Sequence, residues 1–150
     1  MRQKEKEIQS RGEMLKIIEK AQVCRLGLSD GEEPYIVPVC FGYKNDRIYI
    51  HSATEGRKLD IIKKNPRVCF EMEADVKVLE ATEACDWSIA YKSIMGAGTA
   101  VVVGEDEEKA EALSILMRHY GQNDYSFEDA DLSNLAVIRI DIQWMTGKAS

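Results

Sequence analysis

The stretch Ile50-His51-Ser52-Ala53-Thr54-Glu55-Gly56-Arg57-Lys58 holds the side chains best placed to do chemistry. A strand-like run ends there in polar residues, a glycine follows, and two adjacent cations open a helix-like segment. A helix N-terminus presents unpaired N–H groups and partial positive charge. With Arg57, Lys58 and the Ser52 hydroxyl beside it, such an end suits a phosphate monoester. Arginine forks two phosphate oxygens, and lysine acts as a point charge. The same residues also read as a solvated helix start, with Ser52 and Glu55 forming a capping box. The residues by themselves leave both readings open and name no ligand.

Other chemistry has less support. The four cysteines, Cys24, Cys40, Cys69 and Cys85, form no CxxC pair, and His51 and His119 are the only histidines. A structural zinc site is therefore not expected. Cys24, Cys40 and Cys69 sit in strand-like text and are expected as buried free thiols. The net charge of −6 argues against a dedicated nucleic-acid binder. It does not exclude one local basic pocket. No apolar run reaches the roughly 20 residues that span a bilayer. The charged start (Arg2, Lys4, Glu5, Lys6, Glu7) has no apolar core of a signal peptide. A cytoplasmic location is the expectation.

The elements that must position these residues follow from periodicity. Ser10–Ala21 reads as a helix with Met14, Leu15, Ile17, Ile18 and Ala21 on one face. Gln22–Leu28, Pro34–Tyr43 and Arg47–Ser52 read as a three-strand meander, with a turn at Ser29-Asp30-Gly31. Glu55–Asn65 reads as a short helix stopped by Asn65-Pro66. Arg67–Glu73 is a fourth strand, and Ala74–Asp86 is ambiguous. Trp87–Val103 is a bent strand with Gly96 and Gly98 at a bulge or close approach. Glu105–Tyr120 is the clearest helix, acidic at its start and closed by Arg118, His119 and Gly121. Gln122–Ser133 is a polar loop. Asn134–Thr146 is a last strand whose even face (Ile138, Ile140, Ile142, Trp144) is expected to pack inward. The 150 residues suit one domain. About six antiparallel strands with three helices make it an α+β fold, with a closed or nearly closed barrel.

The runs Tyr35–Tyr43, Ile48–Lys58 and Asn65–Phe70 together resemble the pyridoxamine 5'-phosphate oxidase-like FMN-binding split barrels. They look closest to the branch of nitroimidazole-resistance flavoproteins. Lys20–Leu26, Tyr91–Ala100 and Ile140–Lys148 are also similar, so the likeness covers roughly residues 1–148. It implies a six-stranded antiparallel split β-barrel with flanking helices and noncovalent FMN. By position, His51 and Ser52 match the strand end facing the ribityl chain and phosphate, and Arg57 and Lys58 match the cationic pair on the phosphate. Val37, Pro38 and Val39 match the backbone beside the isoalloxazine ring. Ser93 matches a polar contact that often comes from the second subunit, which implies a homodimer with FMN at the interface. Arg25 is left between a phosphate contact and an inter-subunit carboxylate.

The function so implied is a flavin-dependent oxidoreductase acting on a small acceptor such as a nitroaromatic or quinone. Histidine ordinarily titrates near neutrality, so His51 is the candidate catalytic proton donor beside the ring. The family's vitamin B6 oxidases carry basic residues near the C-terminus. Met145–Ser150 offers Lys148 alone, which argues against that activity. The alternatives are a non-catalytic flavin-binding, storage or redox-sensing protein, a haem binder using His51 or His119, and a dimeric barrel with an empty pocket.

Overall fold

Alternation of buried and outward residues assigns each strand a core face. The computed structural model describes residues 4–127 and 130–150, so two residues of the expected Gln122–Ser133 loop lie outside it. After a two-residue strand β1 (Glu7–Ile8), α1 (Arg11–Lys20) begins at Ser10, whose side chain accepts from the Glu13 N–H at 3.4 Å. It buries Ile17 and Ile18. β2 (Cys24–Ser29) buries Cys24, Leu26 and Leu28 and turns Arg25 and Gly27 away. β3 (Pro34–Val39), β4 (Gly42–Lys44) and β5 (Arg47–Ser52) follow, then α2 (Arg57–Lys64). The long β6 (Arg67–Leu79) and β7 (Ser88–Val102) lead to α3 (Asp106–His119) and β8 (Ala136–Ala149).

All strand pairs are antiparallel, in the order β3-β2-β6-β7-β8-β5-β4, with β1 added to β8. The two edge strands, β3 and β4, are joined by Cys40 and Phe41 alone. A two-residue link spans only about 10 Å, so the sheet must curl until its edges nearly meet. The result is the expected α+β split barrel, with β1 and β4 as short additions to six principal strands.

Leu26, Phe41, Ile48, Phe70, Ile94 and Ile138 fill the barrel, and Ile17, Ile18, Leu59, Ile61 and Ile62 bring α1 and α2 onto it. A second layer lies where α3 covers the outer face of β5 and β8, around Tyr49, Val137, Ala112 and Ile115. No helix among the described residues is long and apolar enough to cross a membrane.

Several expectations need correction. Pro34–Tyr43 is two strands, because Phe41 turns fully into the core and donates its N–H to the Tyr120 hydroxyl (3.1 Å). The chain thereby leaves one sheet edge for the other. Residues 22–52 are consequently no meander: β3 pairs with β2, whereas β5 pairs with β4 and β8. The ambiguous stretch continues β6 to Leu79 across a bulge, where Asp75 has φ 56.

Trp144 is about half exposed and not packed in the core. Ala97 pairs with Trp144 and the next residue, Gly98, with Ile142, so Gln143 is an extra residue that flips the alternation. A Cβ at Gly98 would lie 2.3 Å from the Asp141 carbonyl, which explains the glycine at this bulge. Of the cysteines only Cys24 is buried; Cys40 and Cys69 are exposed. Cys69 alternates with inward Val68 and Phe70, and Cys40 sits in the edge-to-edge link. Burial pushes the Cys24 thiol up to about 12, so it stays protonated.

Candidate functional site

β4 pairs with β5 only from Arg47 to Tyr49. From Ile50 to Ser52, β5 pairs with β8 alone, so its other edge is open. The outer edge of β3 is also unpaired. These two open edges form the seam of the barrel, and the chain leaves β5 there to enter α2.

Leu59, Ile61 and Ile62 anchor α2 by burial, each contributing about 1.5–3 kcal/mol. They hold its first turn at the seam. The N-cap is Gly56, at φ 129 and ψ 165, a conformation that favours glycine. No side chain caps this end, so the capping box expected as one reading of Ser52 and Glu55 does not form. The first-turn N–H groups remain available to an anion.

The two cations differ. Arg57 is exposed; its Nη2 donates to Glu33 Oε2 at 3.0 Å and its Cζ lies 4.9 Å above the Tyr35 ring. This contact ties α2 to β3 across the seam. Lys58 is half-buried and makes no ion pair among the described residues. Burial holds its ammonium below the usual lysine range. A half-buried cation without a counter-ion, beside an uncapped helix start, is a place where a dianion relieves an electrostatic cost.

The remaining predicted residues divide into two groups. Ser52 is half-buried at the end of β5, and His51 is exposed and lies opposite Val137. Val37 and Val39 turn toward the core and Pro38 outward, all on the seam strand β3. Ser93 lies elsewhere. Along β8 the register runs from Ala136 opposite Ser52 to Lys148 opposite Ser93. That separation is on the order of 35 Å at strand rise, so Ser93 does not share the Ser52–Arg57 site of its own chain.

Other candidates have partners within the chain. Arg25 Nη1 binds Glu71 Oε2 (3.1 Å) and also Glu73, two carboxylates of its own chain. His119 Nε2 is 2.7 Å from the Ala21 carbonyl and its ring packs on Phe41, 4.2 Å between centroids. Lys148 Nζ contacts the Tyr91 hydroxyl at 3.2 Å. Sequence reasoning missed Glu33 and Tyr35, the partners of Arg57. Only the alternation of β3 could have pointed to Tyr35, since the contact joins positions 22 residues apart.

Hollows elsewhere on the described surface differ from this seam in charge or polarity. One of about 650 Å³ beside α3 is rimmed by Asp106, Glu107 and Glu111, the wrong sign for a phosphate. Another of about 480 Å³ near α1 is mixed in charge: Lys20 and Lys92 pair with Asp75 there, and Lys6 and Lys16 stand among four glutamates. A third, about 620 Å³ and largely apolar, adjoins Tyr35 on the outer sheet face and is floored by Gly27, Cys69 and Ala97.

Comparison with known proteins agrees with this architecture. The profile of the family described as pyridoxamine 5'-phosphate oxidase matches residues 10–149. A candidate 5-nitroimidazole antibiotic resistance protein of Bacteroides thetaiotaomicron is 35% identical. The match covers 95% of this chain and 86% of that one, with a TM-score of 0.83. An FAD and haem binding protein of Mycobacterium smegmatis is 20% identical over 97% of this chain and 73% of that one, TM-score 0.83. An FAD-binding protein of Mesorhizobium loti is 23% identical over 94% and 95%, TM-score 0.68. These last two speak for the fold alone. An uncharacterised Rhizobium meliloti protein is 29% identical over 65 residues, so the chain matches about two fifths (42%) of that curated relative's length. With its split barrel, its register and a profile match along nearly its whole length, the chain belongs to the pyridoxamine 5'-phosphate oxidase-like family.

Proposed function

We propose that the chain is an FMN-binding flavoprotein that acts as a homodimer and passes electrons to a small acceptor such as a nitroaromatic or quinone. The observation that carries this reading is the unpaired, half-buried Lys58 beside the uncapped start of α2. Arg57 would fork the phosphate, Lys58 would neutralise it, and the Ser52 hydroxyl would add a hydrogen bond. Bound flavin would supply the hydride or electron chemistry. The backbone of Val37, Pro38 and Val39 offers an open strand edge beside which a flat heterocycle can hydrogen-bond. His51, exposed at the mouth of the seam, is the group that would hold a proton there. Ser93, remote from the site of its own chain, would serve the partner's, which is why the reading requires two copies.

Lys148 is engaged by Tyr91, which speaks against a second phosphate site for a vitamin B6 substrate. The test is direct. The protein is loaded with FMN, reduced anaerobically and mixed with 2-nitroimidazole. Reoxidation that accelerates with acceptor concentration is expected. A rate independent of acceptor would contradict turnover and leave a flavin carrier or redox sensor.

A further inference from the structure

The β2–β3 turn is strapped along α2 from one end to the other. Behind the helix, Asn65 Nδ2 donates to the Ser29 carbonyl at 2.8 Å. Asp30 Oδ1 accepts from the backbone N–H groups of Glu32 and Glu33, each at 3.1 Å, and so fixes the turn. At the front, Glu33 takes Nη2 of Arg57 and the Tyr35 ring lies beneath the guanidinium. Tyr35 is half-buried and packs against the main core, so its ring is a fixed surface.

A free arginine must give up much rotamer freedom to grip a ligand. Here one face and one nitrogen of Arg57 are already held, while Nε and Nη1 have no partner among the described residues. Those are donors that a phosphate can use.

We propose that Tyr35 is a positioning residue that presets Arg57 for a phosphate, and so sets the preference for phosphorylated flavin over riboflavin. The inference rests on the reading of Arg57 and Lys58 as the phosphate site. Tyr35 acts through an aromatic face and not through its hydroxyl, because the contact is a cation over a ring. Glu33 completes the cradle, but its own charge opposes an anion.

The experiment compares dissociation constants for FMN and riboflavin in the unaltered chain and in Tyr35→Phe, Tyr35→Leu and the double variant Arg57→Ala/Lys58→Ala. Tyr35→Leu is expected to weaken FMN about three- to tenfold, with riboflavin unchanged. Tyr35→Phe is expected to stay within about twofold of the unmodified protein for both ligands. An equal loss of both ligands in Tyr35→Leu, or no loss of either, overturns the role of Tyr35. If the double variant keeps the original FMN-to-riboflavin ratio, the phosphate site itself is wrong and the proposal falls with it.

Discussion

The starts of α2 and α3 obey opposite electrostatic rules. α3 opens with Asp106, Glu107 and Glu108 and ends with Arg118 and His119. The three acids and Arg118 complement the helix dipole. α2 opens with Arg57 and Lys58 at the positive end, with Asp60 as the acid of its first turn, and neither helix start has a side-chain cap. Three apolar residues hold α2 in place despite this. One helix is arranged for its own stability, and the other leaves donors and cations concentrated at the barrel seam. In the proposed function, that conflict at an anchored position is relieved by the charge of the bound phosphate.

Removing the conflict gives the largest expected effect. Arg57→Ala/Lys58→Ala should lose about 2–5 kcal/mol of FMN affinity, which is roughly 30- to several-thousand-fold. Its thermal stability should hold or rise slightly, since two cations leave the positive end of a helix. Titration by flavin fluorescence and a melting curve check both halves.

The pH dependence sharpens the same contrast. Burial depresses the Lys58 ammonium, and a bound phosphate would restore its proton. FMN affinity should therefore fall with rising pH in an alkaline window that begins below the ordinary lysine value. It should also fall below about pH 6, where a phosphate monoester takes up its second proton. Without ligand the sign reverses for stability. Between the depressed folded value and the ordinary unfolded one, the unfolded chain holds more protons, so stability should climb with pH.

Gly56→Ala tests the backbone half of the site. Nothing lies within 4 Å of an added Cβ, so the cost is conformational strain at φ 129, about 1–3 kcal/mol by denaturant unfolding. The smallest effect belongs to α3. Asp106→Asn/Glu107→Gln should cost about 0.3–1 kcal/mol of stability per charge and leave FMN affinity unchanged. A loss of flavin affinity there would erase the distinction between the two helices.

Much of the fold was legible because local patterns dominate it. α1, α3, β5 and the close approach at Gly96 and Gly98 of β7 lie where periodicity and glycine placement put them. The errors arose where one residue reversed a pattern. Phe41 turned inward and divided an apparent strand, and Gln143 shifted Trp144 to the outer face. At the site, Arg57 and Lys58 were readable from their adjacency after a glycine. Their distinction was not, because it depends on burial and on Glu33 and Tyr35 arriving from another strand. Arg25 was ambiguous for the same reason, since its carboxylates come from β6.

A crystal structure of the protein grown with FMN would show where the phosphate sits. The phosphate is expected within hydrogen-bonding distance of Arg57, Lys58 and Ser52, with the ring along Val37–Val39. A phosphate in solvent, or bound at any other element, would contradict it.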